Sequence, residues 1–331
     1  MTCHSGKGRG RTQPETRSSN MLIASEDQVY SAPIANGALA PELRLEGETV
    51  RAVQEGRGLS AICLQGGDVA VLENGRTRRL QSGIEGAVES LDILSEDPVE
   101  LLIGAEPPHL YRLADGDGPA RVVEGFDALE CRDEWVTPWG GPPAVRSVVH
   151  SGDWVYADIH VGSIMRSADR GVSWEPVTPD LHRDVHQVAV SPASPQRLYA
   201  NTADAVFVSH DRGQTWTHRS EGLPVKYGRA VAVHPRDADC VLATVSRGPH
   251  QDVDGQLYRS DDGGRNWSHV TDGFPAATSG NIDTFHLAFS DDGAAWAAVA
   301  QNLYRSDDRG EHWEVAWTAP AAIAMISCAG A

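Results

Sequence analysis

SADRGVSW at residues 167–174 is the first of four copies of one pattern, which returns as SHDRGQTW (209–216), SDDGGRNW (260–267) and SDDRGEHW (306–313). All four fit S-x-D-x-G-x-x-W, and we call these segments the boxes. Their tryptophans, at positions 174, 216, 267 and 313, lie 42, 51 and 46 residues apart, about the length of one four-stranded propeller blade. The spacing therefore predicts a repeat fold in which each box marks one blade.

The residue types of the box suit a turn between two strands. Ser and Asp side chains bond to nearby turn backbone, Gly supplies a positive φ, and Trp packs a large apolar face on the adjoining sheet. The same carboxylate recurs in every copy, so we interpret the box aspartates as structural rather than catalytic: Asp169, Asp211, Asp262 and Asp308.

The spacing of the boxes gives the length of one blade. With this length, the rest of the chain can be divided into blades, since it consists of β-rich runs separated by turn residues. Blades four to seven carry the boxes and span about 145–180, 186–224, 229–273 and 283–317. Upstream, VRAVQEG to RTRRLQSG makes blade two, and VESLDILSED to ARVVEG makes blade three. MLIASED, QVYSAPI and PELRLEG supply three strands of blade one, and the C-terminal AIAMISC completes it. We predict an all-β, seven-bladed β-propeller closed by the C-terminal strand, which leaves no free sheet edge; without this closing pair the count is six or eight.

The ends and the composition narrow the functional classes. Residues 1–20 are polar and lack the apolar core of a signal peptide, so we predict a disordered leader before a single domain at 21–331, with Met21 as a candidate start. The net charge of −18 argues against nucleic-acid binding, and no apolar run is long enough to span a membrane. Five scattered cysteines without C-x-x-C spacing favour a reducing compartment. A cytoplasmic protein is expected.

The four boxes resemble the BNR or Asp-box repeats of sialidases, xyloglucan-degrading glycosidases, sortilin-type receptors and photosystem II assembly factors. The resemblance implies a propeller from the sialidase-like superfamily and leaves the activity open, because enzymes and binding proteins share the box. The chain has no R-I-P segment and no Tyr–Glu pair of the sialidase kind, and it holds one propeller where the xyloglucan enzymes hold two.

One column of the repeat carries ionisable residues. Aligning the starts of the innermost strands (VRAV, VESL, VRSV, VHQV, GRAV and FHLA) places these residues at one slot: Arg51, Glu89, Arg146, His186, Arg229 and His286. The closing strand offers only a small residue near Ala324. We call these six residues the ring, and we expect them to surround the mouth of the central channel.

Two interpretations of the ring stay open. A channel mouth holds water, and polar residues there need no ligand. Alternatively, the ring forms a pocket for an anionic or strongly polar small molecule, because three mutually repelling guanidinium groups would gain from a carboxylate or phosphate. We favour the pocket, with Arg51, Arg146 and Arg229 holding the anion.

Nearby loops add candidate binding residues. CRDEWVTPWGGPPAVRS, before blade four, carries Trp135 and Trp139 and suits either a stacking lid or ordinary capping. Tyr227 precedes Arg229, and the long loop SRGPHQDVDG of blade six carries His250.

A divalent metal ion is a further hypothesis. His160 lies in a turn beside the slot of His186, and these two with His286, and with Asp283 or Asp184, offer imidazole and carboxylate ligands that suit zinc, iron or manganese. No compact metal motif is present. Without a metal, a neutral His186 or His286 could serve as general base.

Two functions follow as alternatives. The first is a hydrolase or lyase, glycosidase-like or metal-assisted, with His186, His286 and Asp283 moving protons. The second is a non-catalytic binding or assembly propeller whose top face docks a partner protein.

Overall fold

The computed structural model describes residues 19–35, 38–250 and 252–329. In this part of the chain, strands form seven sheets around a central channel. The seven-bladed, all-β prediction is confirmed. The predicted leader lies outside the described residues except for Ser19 and Asn20, which belong to the first strand, two residues earlier than expected.

Blade one joins the two ends of the described chain. The C-terminal strand pairs antiparallel with the first strand, and Met21 lies opposite Cys328. The second strand pairs in turn with two short outer strands. The strands of this blade are β1 (Ser19–Ala24), β2 (Gln28–Ala35), β3 (Ala38–Leu39), β4 (Glu42–Glu46) and β29 (Met325–Cys328).

Blades two and three are regular four-stranded antiparallel sheets without boxes. Their strands are β5 (Val50–Glu55), β6 (Leu59–Leu64), β7 (Val69–Glu73), β8 (Arg76–Leu80), β9 (Ala87–Glu96), β10 (Val99–Glu106), β11 (Leu110–Ala114) and β12 (Arg121–Val122). A long connection follows blade three and contains the helix α1 (Glu124–Asp127) and a 3₁₀ helix (Glu130–Glu134).

Blades four to seven each carry a box between their third and fourth strands, as predicted. The strands of blades four and five are β13 (Val145–Ser151), β14 (Trp154–Ile159), β15 (Ser163–Ser167), β16 (Glu175–Pro176), β17 (Val185–Ser191), β18 (Ser194–Thr202), β19 (Ala205–Ser209) and β20 (Thr217–Arg219). Those of blades six and seven are β21 (Tyr227–Val233), β22 (Val241–Ser246), β23 (Gln256–Ser260), β24 (Ser268–His269), β25 (Leu287–Phe289), β26 (Ala295–Val299), β27 (Asn302–Ser306) and β28 (Glu314–Thr318).

The core consists of seven apolar clusters, and each one fills the space between two adjacent blades. This follows from the period-two pattern of the strands, which turns one apolar face of every sheet toward its neighbour. The box tryptophans Trp216, Trp267 and Trp313 are buried in these interfaces. In the described residues, no helix has the length and apolar character needed to cross a bilayer.

Candidate functional site

Five ring residues lie at interruptions of strand pairing. In blade two, for example, Val50 and Ala52 pair with consecutive residues of β6, so that Arg51 between them is left out of the ladder. The same irregularity leaves out Glu89, Arg146, His186 and Arg229, the last together with Ala230. Such β-bulges re-aim a side chain out of the regular alternation. Blades two to six therefore present their ring residues by one shared device.

The sixth ring residue, His286, departs from the column. Blade seven replaces the bulge by a turn in which the His286 N–H donates to the Asp283 carbonyl oxygen at 3.1 Å, and β25 begins only at Leu287. The imidazole Nε2 lies 2.9 Å from the carbonyl oxygen of Ala324, at the seam with blade one. His286 is thus held by backbone of the closing segment.

Two of the three ring arginines have carboxylate partners. Arg51 forms an ion pair with Glu89, and its Nε donates to the Val88 carbonyl oxygen at 3.1 Å. Arg229 Nη1 lies 3.6 Å from Asp283 Oδ1. The sequence suggested three unpaired guanidinium groups that repel one another. This expectation is wrong for Arg51 and Arg229, which have carboxylate partners.

Arg146 is the exception. No carboxylate lies within ion-pair distance of its guanidinium in the described chain, and its buried Nη1 has no hydrogen-bond partner there. Its Nη2 lies 2.9 Å from His160 Nε2. An arginine can only donate, so His160 accepts through Nε2 and is neutral. Burial, reinforced by the charge of Arg146, lowers the pKa of His160 to about 4.

His186 and Asp184 face each other beside Arg146. His186 is fully buried, and its Nδ1 lies next to the carbonyl oxygen of Gly228, which requires the proton on Nδ1. Its Nε2 then presents a lone pair 3.3 Å from Asp184 Oδ1, and neither atom has a hydrogen-bond partner in the described residues. Burial is the main cause that lowers the pKa of His186, so its imidazole is neutral near pH 7.

Beneath Arg146 lies a carboxyl group that the sequence analysis missed. Asp158 on β14 is fully buried, and its Oδ1 accepts a hydrogen bond from the Ser147 hydroxyl, whereas Oδ2 has no partner among the described residues. Burial raises the pKa of Asp158 to about 7. The available signal was a charged residue inside the apolar strand WVYADI.

Aromatic side chains border the ring on one side. Tyr227 stacks at a tilt on His186, with ring centroids 4.8 Å apart, and lies under the Arg229 guanidinium at 5.1 Å. Trp139 is 68% exposed and its ring centroid is 4.8 Å from that of His160. Trp135 is buried against Phe126, as the capping alternative predicts for it and the lid alternative does not.

His250 is exposed, and no hydrogen bond or ion pair joins it to the ring within the described ranges. In the same loop, Arg247 and Asp254 form an exposed ion pair of 2.7 Å.

Backbone strain accompanies the ring. Val161, directly after His160, has φ +50°, and Phe285, directly before His286, has φ +62°. A β-branched or bulky residue rarely adopts this region, and such residues cluster where a structure holds a functional geometry.

The metal hypothesis does not fit this geometry well. In the described residues, no group of three or more His, Cys, Asp and Glu side chains is placed to hold a metal ion. Arg146 occupies the lone pair of His160 that a metal would need, and His286 is held at Ala324. Of the three candidate histidines, His160 and His186 share a neighbour among the described residues, Asp184 Oδ1, at 3.9 and 3.3 Å.

The ring concentrates buried polar atoms without partners. Five of the fourteen such side-chain atoms in the described residues belong to it or touch it: Arg146 Nη1, Asp158 Oδ2, Asp184 Oδ1, His186 Nε2 and Arg229 Nε. Below the ring, the inner strands line an apolar part of the channel of about 100 Å³, with walls that include Val148, Val188, Val231 and Phe285. The ring is therefore a polar mouth above an apolar channel.

Comparisons with known proteins support the fold. Residues 162–281, 120 of the 331, match the family described as Sortilin, neurotensin receptor 3 (Sortilin-Vps10). A probable oligoxyloglucan-reducing end-specific xyloglucanase of Neosartorya fischeri is 27% identical over 176 residues, which cover 47% of this chain and 20% of that protein. The chain thus spans about a fifth of the length of this relative.

Solved structures resemble the whole propeller. The GH74 enzyme of Niastella koreensis superposes with a TM-score of 0.65 at 15% identity, covering 95% of this chain and 52% of that enzyme. YCF48 bound to D1 peptide superposes with a TM-score of 0.55 at 18% identity, covering 81% of this chain and 82% of YCF48. At these identities the likeness shows the β-propeller fold alone.

Proposed function

We propose that the ring binds a small anionic or strongly polar molecule. The carrying observation is the pair of buried donors without acceptors, Arg146 Nη1 and Arg229 Nε. A buried donor left unpaired costs about 1–3 kcal/mol, more when it is charged, so an oxyanion that accepts from both would gain this free energy.

The pairing of the ring arginines supports one negative group at Arg146, although the three arginines and three nearby carboxylates balance in charge. Glu89 and Asp283 compensate Arg51 and Arg229, and Asp184 lies near Arg146 without pairing with it. Asp184 Oδ1 and His186 Nε2 remain as acceptors beside the two donors. A ligand that combines a carboxylate or phosphate with a hydroxyl would satisfy both kinds of atom.

The test is calorimetric titration with malonate, glucuronate and inorganic phosphate at low salt. One of these anions should bind the wild type. Arg146→Ala and Arg229→Ala should each reduce the affinity for that anion roughly tenfold or more, because each removes a charge-assisted hydrogen bond. Arg265→Ala is the matched control, since Arg265 is an exposed arginine in the box of blade six, away from the ring. Equal affinity of both ring variants and the control, with every variant folded, would sink the proposal.

A hydrolase or lyase is the second candidate, and the neutral His186 facing Asp184 favours it. The xyloglucanase relative is a glycosidase by name. A two-carboxylate glycosidase mechanism needs an accessible acid. Burial raises the pKa of two carboxyl groups at the ring, but Asp158 is fully buried and Glu89 is paired with Arg51. His186, whose lowered pKa keeps its imidazole neutral and whose Nε2 has no hydrogen-bond partner in the described residues, is the general base of this candidate, and a substrate would have to reach this buried atom. Its test is loss of turnover in His186→Gln with ligand affinity retained.

Peptide docking at the same face is the third candidate, and the exposed Trp139 supports it, as does the likeness to YCF48, which was solved with a peptide. We further propose a reducing compartment, because the four described cysteines are free.

A further inference from the structure

We propose that a second site, independent of the ring, docks an extended peptide segment of a partner protein in which apolar residues lie between Lys or Arg residues. The site is a groove of about 780 Å³ between the connection after blade three and the box of blade four. We call it the rim groove. It is lined by Gly125, Ala128, Leu129, Glu130, Cys131, Glu134 and residues 172–176.

The long connection forms one wall of the rim groove and is rigidly packed. Phe126 of α1 is fully buried and contacts Trp174 of the box edge-to-face, with ring centroids 5.3 Å apart. Gly125 lies so close to the box that an added Cβ would overlap the carbonyl oxygen of Val172. The two walls are therefore fixed to each other, and a ligand would meet a pre-formed groove.

The box of blade four differs from the other boxes at one position on this groove. The residue after the box glycine is Gln214, Arg265 or Glu311 in blades five, six and seven, and it is Val172 in blade four. Val172 is 67% exposed. The box turn needs no apolar side chain here, since only the backbone N–H of Val172 takes part, donating to Asp169 Oδ1 at 3.0 Å. Val172, Leu129 and Pro176 together give the groove an apolar surface, and exposed apolar surface of this kind is typical of a protein-binding site.

The acidic side chains of the rim groove favour a partner with cationic residues. Its lining carries three carboxylates, Glu130, Glu134 and Glu175, and no cationic side chain. Only Glu175 has an ion pair among the described residues, with Arg166 at 2.7 Å. Cationic residues beside an apolar anchor would complement this rim. A second copy of this chain carries a net charge of −18, which opposes self-association through an acidic groove.

The experiment measures fluorescence anisotropy of a short labelled peptide with a leucine pair between arginines, titrated with the full chain. Two probe controls replace the leucines by serine or the arginines by glutamate. We expect binding of the first peptide only, weakened by added salt because the ion pairs are exposed. Val172→Gln should weaken it by about tenfold, and Glu130→Gln with Glu134→Gln by about two- to fivefold per site.

Gln214→Ala is the matched control at the equivalent box position of blade five, and it should leave the affinity unchanged. All substituted residues are exposed, so thermal midpoints should stay within a few degrees of the wild type. The proposal is overturned if the wild type does not bind the peptide, or if Val172→Gln and the glutamate variants bind it as the wild type does. Self-association that Val172→Gln abolishes would assign the groove to a second copy and likewise overturn it. Tighter binding after deletion of residues 1–18, which carry Lys7, Arg9, Arg11 and Arg17, would assign it to this chain's own segment.

Discussion

Aspartates lie both in the boxes and at the ring, but the box aspartates have hydrogen-bond partners for their side-chain oxygens and the aspartates at the ring have buried oxygens without one among the described residues. In the box of blade four, Asp169 Oδ1 accepts from the N–H groups of Val172 and Ser173, and Oδ2 accepts from the Ser173 hydroxyl at 2.5 Å. These bonds lower the pKa of Asp169 to about 2. At the ring, buried oxygens of Asp158 and Asp184 have no partner in the described chain. A satisfied carboxylate in a repeated turn indicates a structural role, whereas five unsatisfied atoms at one channel mouth, of fourteen in the described residues, favour a ligand there.

Removing a box tryptophan should have the largest effect on stability. Trp267 is 7% exposed, packs between blades five and six, and donates from Nε1 to the Arg219 carbonyl oxygen at 3.1 Å. Trp267→Ala should lower the free energy of unfolding by about 3–5 kcal/mol, as for other large buried aromatics. Urea denaturation measures this. A loss under 1 kcal/mol, or a loss of ring ligand binding in the still-folded variant, would break the separation between boxes and ring.

Neutralising the buried carboxyl group under the ring should stabilise the protein at high pH. The native pKa of Asp158, about 7, exceeds its ordinary value of 3.8, so the native state keeps a proton that the unfolded chain releases between these values. The stability of the wild type therefore falls as pH rises through this window. Asp158→Asn should exceed the wild type by on the order of 1–3 kcal/mol at pH 8 and match it near pH 4.

Denaturation at a series of pH values measures this difference. Glu55, whose pKa burial also raises to about 7, is present in both proteins, so its contribution cancels. A difference that is constant with pH would mean that Asp158 does not titrate in this window.

Removing a box hydroxyl should have a smaller effect. Ser209 Oγ accepts from the Gly213 N–H at 2.8 Å and donates to Asp211 Oδ1 at 2.8 Å. Ser209→Ala should cost about 1 kcal/mol, the net contribution of a typical hydrogen bond. The midpoint of urea unfolding reports it, and binding at the ring should not change. A neutral outcome would show that water replaces the hydroxyl in the turn.

Relieving strain beside the ring should give the smallest effect, with the opposite sign. Val161 has φ +50°, which glycine adopts freely. Val161→Gly should raise the free energy of unfolding by about 0.5–1 kcal/mol and weaken ligand binding, since His160 would be held less firmly. Thermal unfolding and titration of the same sample measure both. Destabilisation would show that the Val161 side chain contributes more by packing than its backbone costs.

The sequence alone was sufficient for the fold because the signals repeat. The box tryptophans set the blade length, and the apolar AIAMISC at the C-terminus matched an opening segment that had only three strands. Closure through Met21 and Cys328 followed from the absence of any other strand to complete blade one. The start of β1 at Ser19 could not be predicted, because Ser19 and Asn20 are polar and continue the composition of the predicted leader.

The site was only partly predictable. The column of ring residues was visible, because bulges at equivalent places keep equivalent residues in register. The turn at Phe285 that removes His286 from the column leaves no mark in FHLA, and pairing between blades, as in Arg51 with Glu89, depends on distances that a strand pattern does not contain. Asp158 could not be predicted as a site residue because the rest of its strand, WVYADI, has the pattern of ordinary core.

The most direct test of the account is a crystal structure of the protein soaked in selenate, with the anion located by the anomalous signal of selenium. We expect a peak within hydrogen-bond distance of Arg146 Nη1, and no peak there in Arg146→Gln crystals. Selenate bound only at other arginines, such as Arg236 or Arg265, with Arg146 unoccupied, would contradict the claim that the ring is an anion site.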